Sequence, residues 1–271
     1  MRLAPGSVRV TNMPGAGGGV AFAHTVTLRE RDSGLIVAAS PSTTLRLAQR
    51  QYGGFSEDDV RWVVALGAEY GVLAVGRDSR FRGLEDLLAA WRANPASVIS
   101  GGGSAVAGQD HMKVLLLAHR AGLDPRRIRY VPFDGGGEAL TALLGGFIQL
   151  FSGEASEIEG QLEAGAVRLL AVMAPERLTG PLAHVPTARE QGVELDWVTW
   201  RGFYVPGGIS DAAYGRWVDA LTRVAESPTW TAARDRYGLQ PFFLAGEEFR
   251  AAVERQVVDF RAMSREIGLI K

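Results

Sequence analysis

At 271 residues with a hydrophobic fraction of 46%, the chain exceeds one typical domain and has enough apolar side chains for two lobes of about 100 to 150 residues, each with its own core. A net charge of −1 without a basic stripe removes the electrostatic footprint of a nucleic-acid binder, and no apolar run approaches the roughly 18 residues of a membrane-spanning helix. The absence of cysteine excludes thiol chemistry, disulfides and thiolate metal sites.

Met1-Arg2-Leu3-Ala4-Pro5-Gly6 has neither a basic segment leading into a long apolar one nor a cleavage site, so no export signal is expected in it. Val8-Arg9-Val10 reads as a short strand feeding Asn12-Met13-Pro14-Gly15-Ala16-Gly17-Gly18-Gly19, with a helix from Val20 to Leu28. These glycines do not fit a dinucleotide fingerprint, because glycine is missing where Val20 and Phe22 stand, and no Gly-Lys-Ser/Thr follows any of the turns. Nucleotide phosphate binding is not expected.

Leu35 to Ala39 is an apolar run of strand length, expected to be buried on both faces, and it ends in Ser40-Pro41-Ser42-Thr43-Thr44. Hydroxyls at the C-terminal end of a strand sit where open α/β sheets place ligands, although such residues are common in any loop. Val60 to Val75 gives two apolar segments around Gly67 and Gly71, and the first crossing between lobes is placed near Val75. Leu84, Leu87, Leu88 and Trp91 share one helix face and predict core packing. Ser97-Val98-Ile99 reads as a strand into Ser100-Gly101-Gly102-Gly103-Ser104-Ala105-Val106-Ala107-Gly108, followed by a helix to Gly122.

The chain is organised around Val131-Pro132-Phe133-Asp134-Gly135-Gly136-Gly137-Glu138, where a short strand runs through three glycines into a helix that ends at Gly145-Gly146. Bare backbone at a helix start leaves N–H groups and a partial positive charge for a small anion such as a carboxylate. The same glycines could simply make a tight turn, but their recurrence at Gly15 to Gly19 and Gly101 to Gly103 favours a ligand cleft. Phe147 to Phe151 returns as a strand, a helix spans Glu154 to Ala164, and Val167 to Val172 is the next strand. Alternating strands and helices predict a parallel sheet covered on both faces. Trp197 to Val205 reads as a second crossing strand, Ser210 caps a helix, and the last helix runs from Glu247 to Ile267 with Phe249, Val253, Val257 and Phe260 inward.

No metal-ligand spacing surrounds His24, His111, His119 or His184, and no serine sits in a G-x-S-x-G elbow. Asp110-His111 beside Ser100 and Ser104 is a poor hydrolytic set, since sequence neighbours on a helix point in different directions. Glu154, Glu157, Glu159 and Glu163 read as the solvated face of a helix. No catalytic residue, metal or cofactor is expected.

At Asn12-Met13-Pro14-Gly15-Ala16-Gly17-Gly18, Val131-Pro132-Phe133-Asp134-Gly135-Gly136, Ala139-Leu140-Thr141-Ala142-Leu143-Leu144-Gly145-Gly146, Ala164-Gly165-Ala166-Val167-Arg168-Leu169-Leu170-Ala171-Val172 and Val185-Pro186-Thr187, the sequence resembles the substrate-binding proteins of tripartite tricarboxylate transporters, the TctC or Bug family. The resemblance implies an α/β fold of the two-lobed, type II-like periplasmic-binding-protein kind, each lobe a mainly parallel sheet flanked by helices. Lobe I would take residues 1–75 and 203–271, and lobe II residues 76–202. It implies a periplasmic monomer that is not an enzyme and that captures a small organic carboxylate for membrane permease subunits; the alternative is a sensing module of the same fold signalling to a membrane receptor. The family's ligand-contacting loops fall at Gly15, Ala16, Gly17 and Gly18, at Ser40, Ser42 and Thr43, at Gly101, Gly102, Gly103, Ser104 and Ala107, and at Gly135, Gly136 and Gly137, with Ser152 at the rim. Backbone amides and hydroxyls there would hold a carboxylate without requiring an arginine.

Two departures from the family follow. Its members carry an exported N-terminus, a first strand, a glycine loop and a helix before the segment resembling Val8 to Asn12. The sequence lacks these, so part of the lobe I site is expected to be missing through a late start codon, a shortened sequence or a real loss of binding. Ser152-Gly153 stands where members often have an acidic residue and Asn.

Overall fold

The structure is a computed structural model and describes residues 7–271; the reading of Met1 to Gly6 lies outside the described residues. In chain order the helices and strands are α1 (Gly19–Leu28), β1 (Val37–Ala39), α2 (Pro41–Ala48), β2 (Val60–Gly76), α3 (Leu84–Ala93), β3 (Ile99–Gly102), α4 (Gln109–Arg120), β4 (Arg129–Pro132), α5 (Gly136–Leu144), β5 (Leu150–Glu154), α6 (Ala155–Glu163), β6 (Val167–Met173), β7 (Val198–Pro206), α7 (Asp211–Ala225), α8 (Pro228–Arg236), β8 (Leu244–Ala245) and α9 (Gly246–Glu266). The chain divides into two units. One takes the residues up to Ala68 together with Trp200–Ser264, and the other takes Glu69–Thr199 with Arg265–Leu269.

In the first unit the strands lie in the order β1-β7-β2-β8, and β1 pairs with β7, and β8 with β2, antiparallel. The expectation of a mainly parallel sheet is corrected here. Strand β7 reaches this sheet on the return of the chain from the second unit and β8 after α8, so neither is delivered by the strand–helix–strand crossover that makes neighbours parallel. Val63, Val64, Leu66 and Val205 form one buried cluster with Ile209 and Ala213, and Phe203, Leu221, Val224 and Trp230 pack against it. Elsewhere in the unit Trp62 meets Trp200 and Phe249 edge-on, with ring centroids 6.0 Å apart in each case, a favoured aromatic geometry. The inward positions expected on the last helix, Phe249, Val253, Val257 and Phe260, are all buried in α9.

In the second unit β3 runs parallel to β4 and to β5, as the alternation of strands and helices predicts. Strand β2 lies antiparallel between β5 and β6. The face of α3 read from its spacing is the buried one, with Leu84, Leu87, Leu88 and Trp91 inside. The predicted helix stops at Gly122, Gly165 and Gly268 have left-handed backbone, the conformation in which a helix most readily ends.

Three local expectations fail for identifiable reasons. Val8-Arg9-Val10 forms no strand and is exposed, because no described strand pairs with it and a strand is stable only as a member of a ladder. Leu35 to Ala39 is not buried on both faces: β1 begins at Val37 and stays half-exposed, since its described ladder is with β7 alone. The two apolar segments of Val60 to Val75 are one continuous strand. Its glycines admit close neighbours rather than breaking it, for a Cβ on Gly67 would lie 3.3 Å from Leu239 and one on Gly71 3.0 Å from the Lys113 side chain.

Candidate functional site

In the first unit the run Gly15-Ala16-Gly17-Gly18 has positive φ throughout, at 128°, 50°, 60° and 95°. Only glycine tolerates this freely, and Ala16 holds its left-handed backbone at a cost of about 1 kcal/mol. The turn is pinned by the Gly18 amide donating to Gly15 O at 3.0 Å and by the Tyr52 hydroxyl donating to Gly17 O at 2.6 Å. Beneath it lies Arg46, whose Nε would be 3.2 Å from a Cβ on Gly17. Arg46 donates from Nη1 to Gln51 Oε1, its Nε has no partner, and burial lowers its pKa from the ordinary guanidinium value. Burial also pushes Tyr52 up to about 12, against the pull of the Arg46 charge.

Ser40 caps α2, its Oγ accepting from the Ser42 amide at 3.3 Å, with Pro41 in the first turn. The β1–β7 pairing ends with Ala39 opposite Gly202, which leaves Ser40 and Arg201 as the next residues on their strands. Gly17, Ser40, Ser42 and Thr43 come together on the wall of a cavity of about 520 Å³, and Arg201 lines it as well. Gly15, Ala16 and Gly18 are not on that wall. The rest of the lining is largely apolar, from Leu66, Phe203, Leu221, Val224 and Trp230. Sequence reading missed Arg201 and Arg46. The only signal for Arg201 was a cationic side chain inside the otherwise apolar Trp200 to Val205 strand.

In the second unit the glycine loops meet backbone to backbone. A Cβ on Gly103 would fall 2.3 Å from Gly136 N, and one on Gly102 would fall 2.4 Å from Ser152 O. Gly102 and Gly103 are thus packed against Ser152 and against Gly135 and Gly136, Gly101 instead faces Ile148, Phe133 and Val131, and Gly135 and Gly137 keep open space on the side a Cβ would take. Several of the predicted polar groups already serve the fold. Ser152 is buried and its hydroxyl donates to Asp110 O at 2.9 Å, Ser104 Oγ accepts from the Asp110 amide, and the Ala107 amide donates to His111 Nδ1 at 3.0 Å.

The acidic helix face is corrected in part. Glu154 is buried, with Oε1 2.7 Å from Lys113 Nζ and accepting from Thr199 Oγ1 at 2.9 Å, while its Oε2 has no partner. The Glu157 carboxylate turns back to accept from the Glu154 amide at 2.8 Å and packs against Gly136. The sequence could not place either one, since the helix begins only at Ala155 and Glu154 still belongs to β5. Burial works against the Lys113 ammonium, but Glu154 and Asp110 outweigh it and hold its pKa above the ordinary lysine value.

The side chains weighed as a hydrolytic set are held apart. Ser100 Oγ donates to Arg129 O at 2.6 Å, and Asp110 pairs with Lys113. His111 stacks on Tyr130 with ring centroids 4.4 Å apart, and burial lowers its pKa to about 4. Among the described residues no group of His, Asp or Glu is arranged to hold a metal ion, and no helix is long and apolar enough to cross a membrane.

A family model described as the tripartite tricarboxylate transporter family receptor, TctC, matches residues 2–269. A UPF0065 protein of Cupriavidus necator is 23% identical over 79% of this chain and 63% of its own length, and one of Bordetella pertussis is 24% identical over 97% of this chain and 80% of its own. The chain spans less than two thirds of the first curated relatives it matches, 63% and 62%. Among solved structures, a protein of R. palustris with adipate has a TM-score of 0.82 at 22% identity, covering 94% of this chain and 84% of that one. MatC from Rhodopseudomonas palustris with bound malate has a TM-score of 0.79 at 20% identity, covering 94% and 87%. At these identities the likeness is one of fold.

Proposed function

We propose, from the premise that this chain belongs to the tripartite tricarboxylate transporter receptor family, TctC, a family of solute-binding proteins, that it captures a small organic carboxylate and presents it to membrane permease subunits of such a transporter. It does so as a monomer in the periplasm. The ligand contacts are Gly15, Ala16, Gly17, Gly18, Ser40, Ser42 and Thr43 in the first unit and Gly101, Gly102, Gly103, Ser104, Ala107, Gly135, Gly136, Gly137 and Ser152 in the second.

The observation that carries this reading is the gathering of Gly17, Ser40, Ser42 and Thr43 on one cavity wall at the start of α2, where a helix N-terminus offers positive potential to an anion. The carboxylate ligands of two structural relatives, adipate and malate, support the choice of ligand class. Thermal unfolding in the presence of mono-, di- and tricarboxylates tests it. A ligand at about 100 times its dissociation constant stabilises by roughly 2.7 kcal/mol, which raises the midpoint by about 5 to 10 °C. A panel that leaves the midpoint unmoved removes the reading.

A further inference from the structure

We propose that anion capture by the second unit is linked to proton uptake: a carboxylate settling on the glycine loops at the start of α5 brings a proton from solvent onto Glu154 Oε2, and the two leave together. This rests on the carboxylate-binding reading above and adds the proton as a second bound species.

A buried acidic cluster touches these loops directly. Glu157 lies against Gly136 and Gly153, its carboxylate oxygens 2.3 Å and 2.4 Å from where a Cβ would stand on each. Asp110 lies against Gly102 in the same way; its amide donates to Ser104 Oγ, and its carbonyl accepts from Ser152 Oγ. Glu154 ends the strand that carries Ser152 and Gly153. An anion held by the open amides of the α5 first turn therefore arrives beside fixed negative charge.

The groups around Glu154 come from several elements. Asp110 and Lys113 stand on α4, Glu69 on β2, Glu157 on α6 and the neutral Thr199 on β7. His111, next to Asp110, accepts from the Ala107 amide at Nδ1 and is neutral. Lys113 is the cation of this set, and Asp110 and Glu69 both oppose a charge on Glu154.

Glu154 is the member placed to take the proton. Only 2% of it is exposed. Lys113 Nζ and Thr199 Oγ1 both bond to Oε1, while Oε2 has no donor, so a proton there neutralises the group without disturbing either bond. Glu157 Oε2 already accepts from the Glu154 amide, which favours its charged form. Burial holds Glu154 up at about 7, and a further anion nearby raises it again. By reciprocity the proton strengthens anion binding by the same factor. Affinity is therefore highest below about pH 7, where Glu154 is already protonated, and falls as pH rises and the proton must be drawn from solvent.

Calorimetry with malate and adipate, both fully ionised between about pH 6.5 and 8.5, tests the proposal on wild type and on Glu154→Gln. Runs in phosphate and in Tris count the protons, because the two buffers give up a proton with very different heats. Near about pH 7.5 wild type takes up about half a proton per ligand, and its affinity falls about fivefold or more across the range. Glu154→Gln, shown to be folded by circular dichroism, takes up none and binds with one affinity throughout. Should that variant not fold, the wild-type buffer dependence decides alone. Wild-type heats that are the same in both buffers overturn the linkage while leaving carboxylate binding intact. A buffer dependence that survives in Glu154→Gln places the proton elsewhere and overturns the assignment. No heat with either acid or with any other carboxylate of the wider panel overturns the carboxylate reading itself, and the linkage with it.

Discussion

Lys113 and Glu154 form a buried ion pair, Nζ to Oε1 at 2.7 Å, in which the same ammonium also holds Asp110 Oδ1 at 2.9 Å and Gly153 O at 2.9 Å. One cation therefore faces two buried carboxylates, and the cluster keeps an excess negative charge where burial already opposes ionisation. Burial is the main reason Glu154 is pushed up to about 7; Lys113 pulls against it and Asp110 adds to it.

The first prediction follows from that shift. A carboxyl with a higher pKa folded than unfolded binds more protons in the native state, so its stabilising contribution is complete below the unfolded value of 4.5 and is lost as pH rises through about 7. Wild type therefore loses about 1 to 3 kcal/mol relative to Glu154→Gln between about pH 5 and pH 8. Urea midpoints measured across that range check this, and parallel pH profiles for the two proteins would show that Glu154 stays ionised throughout.

Removing the cation alone has a different outcome. Lys113→Met leaves Asp110 and Glu154 buried beside each other, and stability falls by about 3 to 5 kcal/mol. Adding Asp110→Asn and Glu154→Gln to the same chain restores most of it, because the neutral set no longer carries an uncompensated charge. Denaturant unfolding of the single and triple variants is the measurement, and a single variant as stable as wild type refutes it.

Two glycines of the second unit should respond in opposite ways to alanine. At Gly103 the new methyl would fall 2.3 Å from Gly136 N, and main chain cannot yield as a flexible side chain can, so Gly103→Ala costs about 1 to 3 kcal/mol. At Gly137, in the first turn of α5, nothing lies within 4 Å, and Gly137→Ala gains about 0.5 to 1 kcal/mol from the stiffer unfolded chain and better helix propensity. Thermal midpoints that move together would contradict the loop packing.

The last prediction concerns ligand amines. Ser152 and Gly153 provide no acid, and Glu154, the nearest carboxylate in sequence, is committed to Lys113 and Thr199. A ligand ammonium buried without a partner costs several kcal/mol, so succinate or malate binds at least tenfold more tightly than aspartate. Competition calorimetry decides; tighter binding of aspartate would reveal a carboxylate recruited from another element.

Much of the local organisation could be read from the residues. Leu84, Leu87, Leu88 and Trp91 predicted their own burial because helical periodicity is a property of a few consecutive turns, and the glycine turns at Gly15 to Gly18 and Gly135 to Gly137 could be found because bare backbone before a helix is a local signature. Ser40, Ser42 and Thr43 could be read as a hydroxyl-bearing loop after a strand, whereas their meeting with Gly17 on one cavity wall needed the fold.

What only the tertiary structure decided depends on partners far apart in sequence. Val8-Arg9-Val10 has strand-like residues, yet a strand needs a neighbour and no local pattern supplies one. Arg201 reaches the cavity wall because the β1–β7 register brings Gly202 beside Ala39. Lys113 and Glu154 meet across 41 positions of chain. A charged side chain looks alike in sequence whether it is solvated or buried, since its energy is set by the dielectric and the countercharges that folding brings to it.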